Sequence, residues 1–197
     1  MIKLDTPYLT PDDYVLKIIR DEYPENPRAW DNLGTCVTFE RWRDSPDANP
    51  FNSIEELIKE ICESDKYIWQ YVGRYEHSNV KYFLTKNRQL SEWDTCACGV
   101  IYVSKEDARK EYNVKQITPE LIEKIYEIFE AELETYTNYV NGDVFGCKLY
   151  NLDGEEIDSC YGFYDEEEGV EYFDYKVADL VEAEEIIEVR LYFKRKE

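Results

Sequence analysis

The stretch TPELIEKIYEIFEAELETYTNYVNG, residues 118–142, contains the clearest secondary-structure signal in the chain. Thr118 is a good N-cap residue, and Pro119 is tolerated at the first helical position because an amide there needs no partner within the helix. Apolar residues then recur at helical spacing until Asn141-Gly142, a typical helix end. The pattern predicts one helix that packs on a sheet through Leu121, Ile122, Ile125, Ile128, Phe129 and Leu133.

Strand patterns and two or three shorter helices surround this helix in the sequence. Runs of β-branched, aromatic and apolar residues predict strands over 14–20, 34–40, 66–75, 80–85, 99–103, 143–150, 155–164 and 186–194. Helices are expected over about 53–64 and from Ser104 to about Tyr112, where Ser53 and Ser104 are the N-cap residues, and over 176–183. Several strands follow one another through hairpin-length connections. The sequence therefore predicts an α+β fold, a mainly antiparallel sheet covered by two or three helices, in one acidic domain over 1–197.

The amino-acid composition argues against several classes of binding partner. The 197 residues include 43% hydrophobic and 15% aromatic residues, enough for a sizeable core. The net charge is -21, which argues against direct binding to nucleic acid or to an anionic membrane. No apolar run approaches the roughly 20 residues of a membrane-spanning helix, and the first residues lack a signal-peptide pattern. We expect a cytoplasmic protein whose six cysteines are reduced thiols.

The acidic residues are concentrated near the C-terminus. The segment 153–188 has fifteen acidic residues and a single basic one, Lys176. Acidic residues this close together repel one another and lower the stability of the folded chain, so their concentration needs an explanation. Two explanations are open: the acids form a solubilising surface, or they imitate a nucleic-acid backbone. In the second, the carboxylates bind the basic channel of a nucleic-acid-binding protein, and neighbouring tyrosines add apolar contacts. The partner-binding residues predicted are Asp153, Glu155, Glu156, Asp158, Asp165, Glu166, Glu167, Glu168, Glu171 and Asp174.

Signals for catalysis or a cofactor are weak. The pair Cys96-Ala97-Cys98 has no second C-x2-C to complete a zinc site, so no metal is predicted. The glycines are dispersed and no phosphate-binding loop or calcium loop is present, so no cofactor is predicted either. A small enzyme or metal-dependent accessory factor remains the alternative, with candidate residues Asp31, His77, Asp94, Cys96 and Cys98.

The segment Trp30–Thr35 (WDNLGT) is the densest group of special residues outside the acidic region. We interpret it as a turn in which Asp31 or Asn32 bonds nearby backbone and Gly34 begins the following strand.

Three motifs resemble a known family. NPRAWDNLGT (26–35), WDTCACGVIYVSKEDARKEYNVKQIT (93–118) and GEEIDSCYGFY (154–164) are similar to motifs of a phage- and mobile-element-borne family of unassigned function, most specifically in WDN-x-GT and DSC-x-GF. This chain departs from the family pattern, which has histidine in place of Glu40, cysteine in place of Ser91 and Gly-Gln in place of Cys96-Ala97. The resemblance implies a viral setting in a host-cell cytoplasm, and the departures favour an inhibitory or structural role over catalysis.

Charge and resemblance together give the leading hypothesis. It is a phage-type accessory inhibitor of a host nucleic-acid-binding defence enzyme, such as a CRISPR effector or a restriction enzyme, that acts as an acidic DNA mimic without catalysis. A third alternative is a structural protein that forms homo-oligomers, such as a homodimer, through its tyrosine-rich sheet.

Overall fold

The computed structural model describes residues 8–9, 14–90, 94–151, 153–165 and 168–173. The chain forms two compact units, one of Met1–Glu25 with Gly142–Glu197 and the other of Asn26–Asn141. The helix predicted at 176–183 and the strand predicted at 186–194 lie outside the described residues. The prediction of a single domain over 1–197 stays a prediction.

The described part of the chain contains both strands and helices. Their bounds are β1 Tyr8–Leu9, β2 Tyr14–Arg20, a 3-10 turn Pro27–Ala29, β3 Thr35–Thr38, α1 Ile54–Leu57 continued by a π-helical turn Ile58–Cys62, β4 Tyr67–Glu76, β5 Val80–Thr85, β6 Thr95–Ser104, α2 Lys105–Glu111, α3 Pro119–Asn141, β7 Phe145–Asn151 and β8 Glu156–Phe163. Residues 168–173 are also helical. The strands form two antiparallel sheets, so the predicted α+β class is confirmed.

The first unit contains a sheet with strand order β1-β2-β7-β8. One face of this sheet packs against the helical residues 168–173, because its alternate side chains are apolar. The buried core consists of Leu16, Ile18, Phe145, Cys147, Leu149, Val170 and Phe173. The turn between β7 and β8 contains Gly154 at φ +82°, a conformation that glycine adopts without steric cost. The strands predicted over 143–150 and 155–164 pair here as an antiparallel hairpin.

The second unit contains a sheet with strand order β3-β6-β4-β5, covered on both faces. Cys36 lies in the core beside α3, and Val37 lies in the core beside α1, as the predicted alternation of this strand requires. Strands β3 and β6 approach closely at Gly99, where the Cβ atom of any larger residue would lie 2.0 Å from the carbonyl oxygen of Val37. Only glycine fits at this crossing of the two strands.

Helix α3 agrees with the prediction in its bounds and differs in one residue of its packing face. Ile125, Phe129 and Leu133 are buried against the sheet, and the buried face continues to Tyr136. Ile128 is only half-buried and does not join this cluster. Helix α3 therefore packs on the sheet without Ile128, one of the residues that the apolar pattern predicted for this face.

Three other elements differ from the sequence prediction. Strand β3 spans only Thr35–Thr38 of the predicted 34–40. The helix after Ser53 is α-helical for only four residues and then widens into the π-helical turn. Strand β6 begins at Thr95, four residues before the predicted start, because its first residues pair with the second half of β4. Cys96 and Cys98 are therefore strand residues, and a register shift between Val72 and Gly73 leaves Cys98 without a directly opposite residue.

Candidate functional site

The acidic residues predicted to bind a partner lie on and beside β8, an edge strand of its sheet among the described residues. Glu166, Glu167 and Asp174 lie outside the described residues. The other seven, here called the hairpin carboxylates, are exposed except for the half-buried Asp158. They are Asp153, Glu155, Glu156, Asp158, Asp165, Glu168 and Glu171.

The hairpin carboxylates occupy both ends of β8 and part of the strand itself. Asp153 and Glu155 occupy the turn before the strand, and Asp165 follows its end. Glu156 and Asp158 lie within the strand, whereas Glu168 and Glu171 belong to the helical residues 168–173 that pack against the sheet. The strand Glu156–Phe163 is eight residues long, which corresponds to roughly 24 Å between its ends. A surface of this length matches roughly seven base pairs of duplex DNA at about 3.4 Å per pair.

One of the hairpin carboxylates already has a cationic partner. Lys148 Nζ lies 2.9 Å from Glu156 Oε2, and Tyr150 Oη donates to the same oxygen at 3.5 Å. The hydrogen bond from Lys148 lowers the pKa of Glu156, and the bond to Glu156 raises the pKa of Lys148. The charge of Lys148 therefore offsets part of the charge that Glu156 contributes to the outward field.

The middle of the hairpin also carries an exposed aromatic residue. Tyr161 is 46% exposed, and its ring covers the backbone at Gly146 on the neighbouring strand. Lys17 Nζ lies 4.8 Å from the centre of the Tyr150 ring in the same sheet. A tyrosine held flat against backbone is a rigid contact surface of the kind enriched at interfaces.

A second line of carboxylates occurs on α3 and was not predicted as a site. Glu120, Glu123, Glu127, Glu130 and Glu134 are all exposed, and their spacing places them along one side of the helix. The line extends roughly 21 Å at about 1.5 Å per residue. The sequence does show the spacing of three and four residues between these acids. A search for a high local density of charge does not find them, because lysine and apolar residues lie between them.

The WDNLGT segment is a structural turn, as interpreted, fixed by a buried ionic network. Asn32 Nδ2 donates to the carbonyl oxygens of Pro27 at 2.8 Å and Trp30 at 3.0 Å. Glu132 on α3 accepts from the Leu33 amide at 2.7 Å and from the Gly34 amide at 3.2 Å. The segment is thus anchored to α3 through its backbone.

Arg28 links the rest of this network. Its guanidinium donates to Asp47 at 3.0 and 2.6 Å and to Glu132 at 3.1 Å, with a further bond to the Gly34 carbonyl oxygen. Its side chain is 3% exposed, and although this burial by itself would lower the pKa of Arg28, the hydrogen bonds and charge of Asp47 raise it above the ordinary value. These polar contacts are internal, so the cluster stabilises the fold rather than presenting a reactive group. Sequence reasoning missed Arg28, Asp47 and Glu132 because they are far apart in the chain.

Glu40 is also held in an internal network. Its carboxylate accepts from Tyr82 Oη at 2.9 Å and from Arg74 at 2.6 Å, and its side chain is 2% exposed. Burial and the adjacent Glu40 charge raise the pKa of Tyr82. Arg74 satisfies the charge of Glu40, so this carboxylate is a structural partner in this chain.

The five residues of the enzyme alternative do not form a metal-binding group. Asp31, His77, Asp94 and Cys96 are exposed, whereas Cys98 is buried and directs its thiol to the Val72 carbonyl oxygen at 3.5 Å. Burial raises the pKa of the Cys98 thiol, which disfavours the thiolate that a metal or a nucleophilic mechanism needs. Among the described residues, no three His, Cys, Asp or Glu side chains are arranged to hold a metal ion.

Comparison of the chain with protein-family models, curated proteins and solved structures finds no significant match. The likeness of the three motifs to phage- and mobile-element-borne proteins therefore stays a prediction. In the described part of the chain, no helix combines the length and the apolar character needed to cross a membrane.

Proposed function

We propose that this protein inhibits a nucleic-acid-binding enzyme by occupying its basic nucleic-acid channel with the hairpin carboxylates. The target class is a host defence enzyme, a CRISPR effector or a restriction enzyme, and the setting is the host-cell cytoplasm. The observation that carries the proposal is the presence of exposed carboxylates at both ends of a rigid edge strand about 24 Å long. Charges fixed on a folded strand are pre-organised for a channel that is built to meet a phosphate backbone.

Electrostatics would act mainly on the rate of association. A single exposed carboxylate contributes little to affinity, because water and salt screen it. Several carboxylates of one sign create a field that steers a basic partner toward the surface and makes association depend on salt. The inhibitor should therefore bind faster at low ionic strength than at high ionic strength.

Contact at short range would come from the aromatic centre of the hairpin. Tyr161 and Ile157, which lie on β8, are 46% and 41% exposed. On docking, they would exclude water from the centre of the interface, where a few apolar residues usually provide most of the affinity. Charged ends with an apolar centre suit a protein partner better than they suit a purely solubilising surface.

A matched pair of charge-neutralised proteins tests the proposal. The hairpin variant carries Asp153→Asn, Glu155→Gln, Asp165→Asn, Glu168→Gln and Glu171→Gln, and leaves the ion-paired Glu156 unchanged. The control variant removes five charges from the other acidic surface, through Glu120→Gln, Glu123→Gln, Glu127→Gln, Glu130→Gln and Glu134→Gln. Both variants should fold, because exposed and mutually repelling charges are neutralised in each.

The assay is displacement of labelled duplex DNA from purified CRISPR effectors and restriction enzymes over a range of salt concentrations. The native protein should displace DNA from a susceptible enzyme. The hairpin variant should do so about tenfold more weakly, through slower association and with a smaller dependence on salt, whereas the control variant should resemble the native protein. Equal loss in both variants would show that only net charge matters. A folded hairpin variant with unchanged inhibition would refute the proposal.

A further inference from the structure

The sheet of the first unit places two cysteines directly opposite each other. In the pairing of β7 with β8, Cys147 lies opposite Cys160. The pairing is regular at this point, because its register shifts fall outside residues 146–149. Among the strand pairings that the structure describes, no other two cysteines are opposite each other.

Both side chains lie on the same face of the sheet, as directly opposite residues of an antiparallel pair do. Cys147 is fully buried in the core of the first unit, and Cys160 packs against the same core. Burial, followed by the charge of the Cys160 thiolate, raises the pKa of the Cys147 thiol to about 11. The two sulfur atoms are therefore close enough to affect each other.

The backbone geometry of such a pair is compatible with a disulfide. Directly opposite residues have Cα atoms about 4.5 or 5.5 Å apart, according to whether they exchange hydrogen bonds. Both distances lie in the range of about 4.4–6.8 Å that a disulfide spans. The Cβ atoms, about 4.5–5.5 Å apart in such pairs, need to approach by up to about 1 Å. The bond therefore requires side-chain rotation and only a small movement of the strands.

The two thiols differ in their access to solvent. The helical residues 168–173 cover Cys147 so closely that a Cβ atom at position 169, which is Gly169, would overlap its sulfur. Cys160 is only half-buried, so a small reagent reaches its sulfur first. An accessible thiol beside a protected one is typical of a pair in which the first cysteine reacts and the second resolves the product.

We propose that Cys147 and Cys160 form a reversible cross-strand disulfide by exchange with a small-molecule disulfide of the glutathione class. The Cys160 thiolate attacks one sulfur of the reagent, which forms a mixed disulfide and releases one thiol. The Cys147 thiolate then attacks the Cys160 sulfur, which forms the cross-strand bond and releases the second thiol. The protein pair loses two electrons and two protons, and the reagent disulfide accepts them as two thiols.

The bond would mark a change in redox conditions rather than a permanent part of the fold. In a reducing compartment such a disulfide forms only transiently, as redox-sensing pairs do. When formed, it ties together the two strands of the hairpin. The inference does not depend on the hairpin carboxylates or on their target.

The first measurement maps disulfides in the full, folded chain. The protein is incubated with oxidised glutathione, its remaining thiols are alkylated, and the disulfide-linked peptides are identified by mass spectrometry. The bond between Cys147 and Cys160 should form at least about tenfold faster than any other intramolecular bond, because the sheet already holds the two sulfur atoms together. Dithiothreitol should restore both thiols. A folded chain that does not form this bond, or that forms another cysteine pairing first, overturns the proposal.

A matched variant separates strand register from closeness in the chain. The double variant Ser159→Cys with Cys160→Ser keeps the number of cysteines and moves one thiol by a single residue, onto the opposite face of β8. Its bond to Cys147 should form at least about tenfold more slowly than the native bond, although the loop between the two thiols has nearly the same length. Equal rates in the two proteins would show that closeness in the chain alone joins the cysteines, and the proposal would then be wrong.

Two single variants test the order of attack. Cys147→Ala should stop the reaction at the mixed disulfide between Cys160 and glutathione, because the second thiol is missing. Cys160→Ala should leave Cys147 without an adduct, because the helical segment covers it. Rapid formation of an adduct on Cys147 in a folded Cys160→Ala protein contradicts the proposed order.

Unfolding in urea tests whether the sheet accommodates the bond. A disulfide that closes the loop 147–160 restricts the unfolded chain, so oxidation of the native protein should raise the unfolding midpoint by about 1 M. A lower midpoint after oxidation would show that the bond distorts the paired strands and would overturn the proposal.

Discussion

The buried Arg28 network offers the most direct test of how this fold is stabilised. In the variant Arg28→Met, the side chain keeps much of its length but loses every donor. The carboxylates of Asp47 and Glu132, whose side chains are only 17% and 10% exposed, would keep their charge without a cation. Removal of one member of a buried ionic group costs about 3–5 kcal/mol, because the remaining charge stays desolvated.

The predicted loss is large in relation to the total stability of a small protein, about 5–15 kcal/mol. With a urea dependence of about 2 kcal/mol per molar, it corresponds to a decrease of roughly 2 M in the unfolding midpoint. Equilibrium unfolding in urea, followed by far-ultraviolet circular dichroism, measures this shift. The backbone bonds that Glu132 accepts from Leu33 and Gly34 remain possible in the variant, so the loss reports the missing cation.

An exposed arginine provides the control. Arg88 pairs with Glu55 at 3.2 Å, but the two side chains are 47% and 71% exposed, so Arg88→Met should cost at most about 1 kcal/mol. A triple variant of Arg28→Met, Asp47→Asn and Glu132→Gln removes the stranded charges and should recover part of the lost stability. A loss below about 1 kcal/mol for Arg28→Met, or an equal loss for Arg88→Met, would refute the argument.

Two further predictions follow from buried residues of the second unit. Ile125→Asp should unfold this unit, because Ile125 is fully buried and an unpaired carboxylate there costs several kcal/mol, whereas Ile128→Asp on the half-buried side should retain a cooperative thermal transition. If the two variants melt alike, the assigned packing face of α3 is wrong. Burial also raises the pKa of the Cys36 thiol to about 12, above its unfolded value of about 8.5. The stability that the neutral thiol contributes is complete below a pH of about 8.5 and is lost as the pH rises toward 12. The free energy of unfolding should therefore decrease with rising pH in this range, and Cys36→Ala should make this decrease less steep by up to about 1.4 kcal/mol per pH unit. If the unfolding free energy of Cys36→Ala decreases with pH as steeply as that of the native protein, the assignment of this decrease to Cys36 is wrong.

Local patterns in the sequence determined most of the secondary structure. The strands over 14–20 and 80–85 and the long helix after Thr118 have the predicted bounds, because period, caps and turns are properties of neighbouring residues. The hairpin around Gly154 was predictable for the same reason, since a positive φ requires a permissive residue. The concentration of acidic residues at 153–188 is likewise a property of the sequence alone.

The tertiary structure decided how these elements divide and pair. The sequence predicted a single antiparallel sheet, but the strands form two. Strand β2 pairs with β7, which lies beyond residue 144 in the chain, and these strands belong to a different sheet from β3, β4, β5 and β6. Nothing local marks Arg28, Asp47 and Glu132 as one ionic network, since long-range contacts bring them together. The pairing of β5 with only the second half of β4, from Tyr71 to Glu76, is also decided by the register between strands. The sequence alone determined where its charges occur, and only the fold determined which of them are neutralised inside the protein and which are exposed at its surface.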